Sequence, residues 1–245
     1  MGSAPLIDTG FDLRAEVGGR DPDRYSKTLR RYHQLLWSKP LTSGVTFRLD
    51  SALRNITDAG VLRLSSDTIV ATYTKWPRPA RLVTVTQQAP RHEVDAFSEL
   101  ACTIGAFLVF PLAVPTDARR THSINQARGI HPRICDRFDL ALECIRRHYL
   151  DTASPLTTVL ARHGDFFDLF GSFRGYVDHF LLNDLVAKDY QSVRFFATRS
   201  DLAGDPLPAA SVAEYRTYML RSMDFVRARN DRIQAYVVSE MHVCA

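Results

Sequence analysis

The pattern of apolar and polar positions divides the chain into a helical start, a strand-rich middle and a helical second half. Asp21-Pro22-Asp23 supplies a cap and a proline in the first turn. Tyr25, Leu29, Tyr32 and Leu36 follow at helical spacing, and Lys39-Pro40 ends the helix because proline disfavours helical backbone before it. Short β-prone runs come next, at Val45–Leu49, Val61–Leu64, Ile69–Tyr73 and Leu82–Thr86, with Trp76-Pro77-Arg78-Pro79 as a loop between the last two. Glu93–Cys102 reads as a short helix. Thr103–Phe110 reads as a fully buried central strand. Beyond Pro132, Ile134, Phe138, Ala141, Ile145 and Tyr149 repeat on one helical face. Ser154-Pro155 opens a helix through Leu160, and Gly171–Val186 forms another. Ser211-x-x-Glu214 is a capping-box pattern ahead of a long final helix with Tyr215, Met219, Met223, Val226, Ile233 and Val237 on its apolar face.

This order predicts an α+β fold, a mainly antiparallel sheet in the N-terminal half packed against a helical C-terminal half, because the strands come as a run and do not alternate with helices. The 245 residues are expected to form one domain, with 1–19 as a loose N-terminal tail. No repeat of 20 to 50 residues is visible.

Charge and cysteine usage narrow the classes. A net charge of +4, from 31 basic and 27 acidic residues, is too mild to mark a nucleic-acid binder. Cys102, Cys135, Cys144 and Cys244 are widely spaced without a Cys-x-x-Cys pair, and no hydrophobic signal precedes them, which predicts a cytoplasmic location. The longest apolar stretch, Ala106–Val114, is about nine residues and is broken by Pro111, against roughly 20 for a membrane span.

The densest chemistry lies between Ser123 and Tyr149. Asn125, Arg128, Gly129, His131 and Arg133 form an expected loop at the start of the next helix, where unpaired backbone N–H groups favour anions. Arg128, Arg133 and Arg147 are the candidate cations for a phosphate or carboxylate, with Asn125 as a polar contact and Gly129 allowing close backbone approach. His131 and the carboxylates Asp136 and Glu143 are candidate catalytic groups, and His122 flanks the same segment. Asp136, Asp139 and Glu143 follow one another at i, i+3 and i+7 and could share a helix face; an ion-pair ladder between Glu143 and Arg146 and Arg147 competes with that reading. No metal-ligand spacing, phosphate-binding glycine loop, dinucleotide fingerprint or nucleophile elbow is present, so no metal site is expected and no cofactor is indicated.

Several uncommon strings occur together: Tyr32-His33-Gln34-Leu35-Leu36-Trp37-Ser38-Lys39-Pro40-Leu41, Ile124-Asn125-Gln126-Ala127-Arg128-Gly129, Asp136-Arg137-Phe138-Asp139-Leu140 with Glu143-Cys144-Ile145-Arg146-Arg147-His148-Tyr149, and Asp165-Phe166-Phe167-Asp168-Leu169-Phe170. On these the chain resembles a widespread family of bacterial proteins carried as a domain of unknown function. The resemblance implies one shared domain and brings no assigned activity, cofactor or catalytic residue. It leads one to expect Thr at Ala141, Gln at Asn183 and Gly at Ala106.

Two functions follow from the loop. In the first, a cytoplasmic enzyme or sensor binds a nucleotide, nucleic acid or other phosphate-bearing ligand there. In the second, a non-enzymatic interaction protein uses the same groups as a structural ion-pair latch. A ribonuclease-like variant of the first requires His131 or His122 beside Arg128 in an open groove. Convergence of Arg128, Arg133 and Arg147 on a cavity favours the first; their pairing with carboxylates favours the second.

Overall fold

The helix expected after Asp21 forms as two. A computed structural model, describing residues 6–57, 60–74, 80–112, 123–197 and 202–241, places α1 at Pro22–Tyr25 and α2 at Lys27–Trp37. Ser26 breaks the run in extended backbone. Its Oγ accepts the Leu29 N–H at 2.9 Å and lies 2.5 Å from Glu16 Oε2. A serine stabilises a helix start better than a helix interior, so the chain restarts there. Leu29, Tyr32, His33, Leu36 and Trp37 face inward, while Tyr25, on the far side of the break, is half exposed. The stretch expected as a loose tail is pinned from residue 7 onward. Ile7, Leu13 and Val17 are buried, and Leu13 donates its N–H to the Cys102 carbonyl at 3.0 Å.

β1 (Lys39–Pro40) pairs antiparallel with β2 (Thr46–Phe47), so the expected Val45–Leu49 strand is short. A second antiparallel sheet has the order β3 (Arg54–Thr57), β4 (Gly60–Thr68), β5 (Phe107–Pro111), with Arg54 opposite Arg63 and Thr68 opposite Phe107. β4 therefore takes the centre. β5 is buried at all five positions, as its composition predicts, yet lies at the sheet edge. Arg229 covers its start, donating from Nη1 to the Gly105 and Phe107 carbonyls at 2.8 and 2.9 Å.

Two expected strands do not form. Ile69–Tyr73 is buried coil: the Tyr218 and Tyr215 hydroxyls donate to the Ala71 and Thr72 carbonyls at 2.8 and 2.7 Å, in place of a neighbouring strand. Leu82–Thr86 lies in α3 (Ala80–Gln88), where Leu82, Val85 and Thr86 share the buried face and Thr86 Oγ1 bonds back to the Leu82 carbonyl at 2.8 Å. The loop expected at Trp76–Pro79 lies outside the described residues.

The remaining helices are α4 (Arg91–Leu100), α5 (Ile124–Ile130), α6 (Phe138–Tyr149), α7 (Thr157–Ala161), α8 (Gly164–Asp168), α9 (Phe173–His179) and α10 (Val212–Tyr236), with tight 3-10 turns at Ile104–Ala106 and Asn183–Leu185. The helix expected over Gly171–Val186 stops at His179, and Leu181 takes a left-handed φ of 54°. α10 lays Tyr215, Tyr218, Met219, Val226, Arg229, Asn230 and Ile233 into the core. It approaches the Ile104–Ala106 turn so closely that a Cβ on Gly105 would stand 2.4 Å from Asn230 Oδ1, the atom that accepts the Gly105 N–H at 2.8 Å. Phe166 packs edge to face with Phe167 and Phe170, and Tyr176 does so with Phe170 and Phe180; all five are buried, so these aromatics are core.

Candidate functional site

The Asn125–Arg133 segment, expected as a loop, is helical through Ile130. Ser123 Oγ accepts the Gln126 N–H at 3.3 Å and Gln126 Oε1 accepts the Ser123 N–H at 3.1 Å, a reciprocal capping box written in the sequence as Ser-x-x-Gln. This points Arg128 inward, where it is fully buried. Its Nη2 donates to Asp67 Oδ2 at 2.6 Å and to the Thr68 carbonyl at 2.8 Å, and lies 3.2 Å from Asp136 Oδ1. Nε and Nη1 have no hydrogen-bond partner, and the guanidinium sits 5.5 Å from the Phe110 ring centre. Burial works against the Arg128 charge, but Asp136 and Asp67 outweigh it and raise its pKa. Cys135 and Asp136 both take left-handed φ values, 48° and 65°, which turn the chain so that the Asp136 N–H reaches back to the Arg128 carbonyl at 3.0 Å. For non-glycine residues that conformation costs on the order of 1 kcal/mol each. The latch spends that strain to bring Asp136 over Arg128.

The other expected site residues do not converge with it. Asn125 Nδ2 donates to Ser65 Oγ at 3.1 Å. Gly129 has open space where a side chain would go, so nothing approaches its backbone. His131 caps α5 and its Nδ1 accepts the Arg133 N–H at 3.1 Å; burial and the Arg133 charge lower its pKa. The Arg133 side chain is exposed. Asp136 precedes α6. Asp139 is fully buried, paired with Arg137 and accepting the Phe196 N–H at 2.8 Å. Glu143 holds Arg146 at 2.7 Å and Arg147 at 2.9 Å, the expected ladder. Burial pushes the Glu143 carboxyl up, but these two hydrogen-bonded arginines outweigh it and hold it below the usual range. The three carboxylates thus serve different arginines, with none shared between them. His122 lies outside the described residues.

Asp67, the main partner of Arg128, was not singled out from sequence, and neither was the polar chain beside it. Trp37 Nε1 donates to His33 Nδ1 at 2.9 Å, and His33 Nε2 lies 2.9 Å from Ser66 Oγ. Indole N–H is a donor only, so Nε2 carries the imidazole proton and donates to Ser66. The Ser66 hydroxyl in turn bonds Asp23, whose carboxyl is raised to about 7 by burial and by Asp67. The signal available in sequence was the polar triplet Ser65-Ser66-Asp67 in a strand otherwise reading as alternating.

None of Asn125, Arg128, Gly129, His131, Arg133, Asp136, Glu143 and Arg147 lines any of three cavities that the described residues form. A cavity of about 310 Å³ is walled by Lys39, Thr42, Phe170, Arg174, Asp178 and His179. Another of about 390 Å³ is walled by Arg146, Tyr149, Arg174, Lys188, Asp189 and Tyr190. The two meet at Ser172 and Arg174. Gly175 lets α9 pack here, since a Cβ would fall 2.1 Å from the Phe170 carbonyl oxygen. A third cavity, about 520 Å³, is walled by Phe195, Phe196 and Phe225 together with Arg194, Arg221, Asp184 and Asp224. Among the described residues no group of His, Cys, Asp and Glu is placed to hold a metal ion.

Fold and site together define an α+β protein in which buried Arg128 is held between Asp67 and Asp136, with separate cavities around α9. The chain belongs to a family of unknown function (DUF6994), whose model matches residues 7–233. No curated protein and no solved structure matches it. Among the described residues no helix is long and apolar enough to cross a membrane.

Proposed function

We propose that this protein binds a small phosphate-bearing ligand in the cleft around Arg174, and that the Arg128 segment is the structural latch of the second sequence-based reading. The observation that carries this is the meeting of two cavities of about 310 and 390 Å³ at Arg174, with Lys39 on one side and Lys188 on the other. Asp178 and Asp189 are the carboxylates in these walls, so cations outnumber them. Arg174 is 3.5 Å from Asp178 through an exposed contact, which solvent screens and an arriving anion can replace. Arg146 is bound to Glu143 and shapes the wall. Arg128 and Arg147, by contrast, are paired with carboxylates away from either cavity. A cytoplasmic location belongs to this reading, supported by Cys135 and Cys144, which form no disulfide.

Thermal melts against inorganic phosphate and a panel of nucleotides test it. Ligand raises the Tm of the wild type; Arg174→Ala loses that rise; Arg128→Ala melts lower but keeps the ligand increment. A panel in which no phosphate compound moves the wild-type Tm overturns the ligand reading and leaves the interaction-protein reading in its place.

A further inference from the structure

The cavity of about 520 Å³ shares no wall residue with the two around α9. On its α10 side, Arg221, Asp224, Phe225 and Ala228 fall at i, i+3, i+4 and i+7, one face of the helix. The other side is chain returning from an antiparallel turn. Val186 pairs with Val193, the Ala187 N–H donates to the Ser192 carbonyl at 2.9 Å and the Arg194 N–H to the Leu185 carbonyl at 2.7 Å, so Arg194, Phe195 and Phe196 leave the turn in a fixed register. The buried Asp139 carboxylate, held by Arg137 Nε at 3.1 Å, accepts the Phe196 N–H at 2.8 Å, and Arg137 Nη1 donates to the Pro206 carbonyl at 3.0 Å. A buried ion pair is costly to desolvate and adds little stability by itself; this one fixes the backbone that carries an aromatic wall. Phe196 and Phe225 are both buried, with ring centres 5.7 Å apart.

We infer that this cavity is a second binding site, for an aromatic carboxylate whose ring packs against Phe195, Phe196 and Phe225 and whose charged group is held by Arg194 and Arg221. The charges in the wall divide unequally. Asp184 is held by Arg232 through Nε and Nη2 at 3.1 and 2.9 Å, and Asp224 lies 3.3 Å from Arg227, so each carboxylate already has an arginine. Arg194 and Arg221 are exposed, and among the described residues neither forms an ion pair; Arg221 makes one hydrogen bond, to the Phe195 carbonyl at 3.3 Å. A guanidinium fork matches a carboxylate, and aromatic rings add edge and face contacts to their apolar area. The volume falls within the roughly 300–1,000 Å³ of small-molecule sites. A neutral aromatic leaves both arginines to water, and a small anion without a ring leaves the phenylalanine surface wet. The site is separate from the Arg174 cleft and does not depend on that reading.

Calorimetric titration of the full chain at neutral pH with 1-naphthoate, neutral 1-naphthamide and acetate tests this. Naphthoate is expected to bind at least about tenfold more tightly than either, because the amide lacks the charge and acetate lacks the ring. Arg194→Gln and Arg221→Gln, both at exposed positions, are each expected to weaken naphthoate by about five- to tenfold and the amide by less than about twofold. Ala228→Trp puts a large side chain into the cavity and is expected to abolish binding of both aromatics; the arginine variants carry the readout if it does not fold. Equal binding of naphthoate and naphthamide overturns the inference, and so does naphthoate binding that both arginine variants retain in full. Naphthoate binding lost in Arg174→Ala but kept in Arg221→Gln assigns the ligand to the cleft around α9 and overturns the second site. Failure of naphthoate to bind the wild type also overturns it, and leaves the Arg174 reading to its own phosphate melts.

Discussion

Arg128 keeps a full charge in the interior because two carboxylates reach it from different parts of the chain. Asp136 is eight residues away and returns through two left-handed residues, whereas Asp67 arrives from β4. Arg128→Ala is expected to lower stability by about 3 kcal/mol in urea denaturation, below the upper range for a broken buried pair because Asp67 and Asp136 stay partly solvated. A second residue-scale consequence concerns Asp23. Its folded pKa, about 7, lies above the ordinary carboxyl value, so the stability it contributes is present at low pH and is lost as pH rises through about 7. Asp67, Asp21, Arg128 and the Ser66 hydroxyl are the groups that act on it. Asp23→Asn cannot lose a proton; its stability relative to wild type is therefore expected to rise between about pH 5 and pH 8 in parallel melts. A relative stability that stays flat across that range contradicts the buried, proton-bearing carboxyl. At this scale the sequence showed that Arg128 had nearby carboxylates to pair with, without choosing Asp136 among them, and it showed the Glu143 ladder with Arg146 and Arg147. It could not expose Asp67 or the Trp37–His33–Ser66 chain, because β4 and α2 meet through folding and not through proximity in sequence.

Elements were legible where one periodicity dominates. α2, α4, α6 and α10 all carry apolar residues at helical spacing and all form. Leu82–Thr86 satisfies both a period of two and a helical one, and the burial of Leu82, Val85 and Thr86 together shows that packing chose the helix. Ile69–Tyr73 has strand composition but its carbonyls are taken by tyrosine hydroxyls of α10. α10 is fastened to the sheet by polar groups as well as apolar ones. Arg229, held by the Gly105, Phe107 and Phe180 carbonyls, has its pKa lowered to about 9 by burial. Arg229→Met is expected to cost about 3 kcal/mol, since three carbonyls lose their donor, and to shift the urea midpoint with little change in slope. Two glycines separate close packing from mere presence. Gly105→Ala forces Asn230 and α10 away and is expected to destabilise by about 1–3 kcal/mol in the same assay. Gly129→Ala, in a helix with open space beside it, is expected to be neutral or stabilising by up to about 1 kcal/mol.

At the scale of the whole molecule, one buried cluster runs from Ile7 to Val237 and joins both halves of the chain. The α+β class follows from the order of apolar patterns, and so do the strand-rich middle and the long final helix. Ser123-x-x-Gln126 even spelled out the capping box of α5, although the functional groups crowded behind it made the segment read as a loop. The site is a different matter. Arg174 and His179 lie on a short helix that looks like ordinary core sequence; Lys188 follows that helix by nine residues, but Lys39 is far from it in the chain. The test at this scale is the pair of single variants already described: Arg174→Ala should abolish the phosphate-dependent rise in Tm, and Arg128→Ala should preserve it. Sequence by itself determined which residues must be buried and which periodicity each segment would satisfy, because hydrophobic burial is read locally. Only the tertiary structure decided which charges neutralise one another and which are left facing a cavity, because that depends on distances between segments that the linear order does not encode.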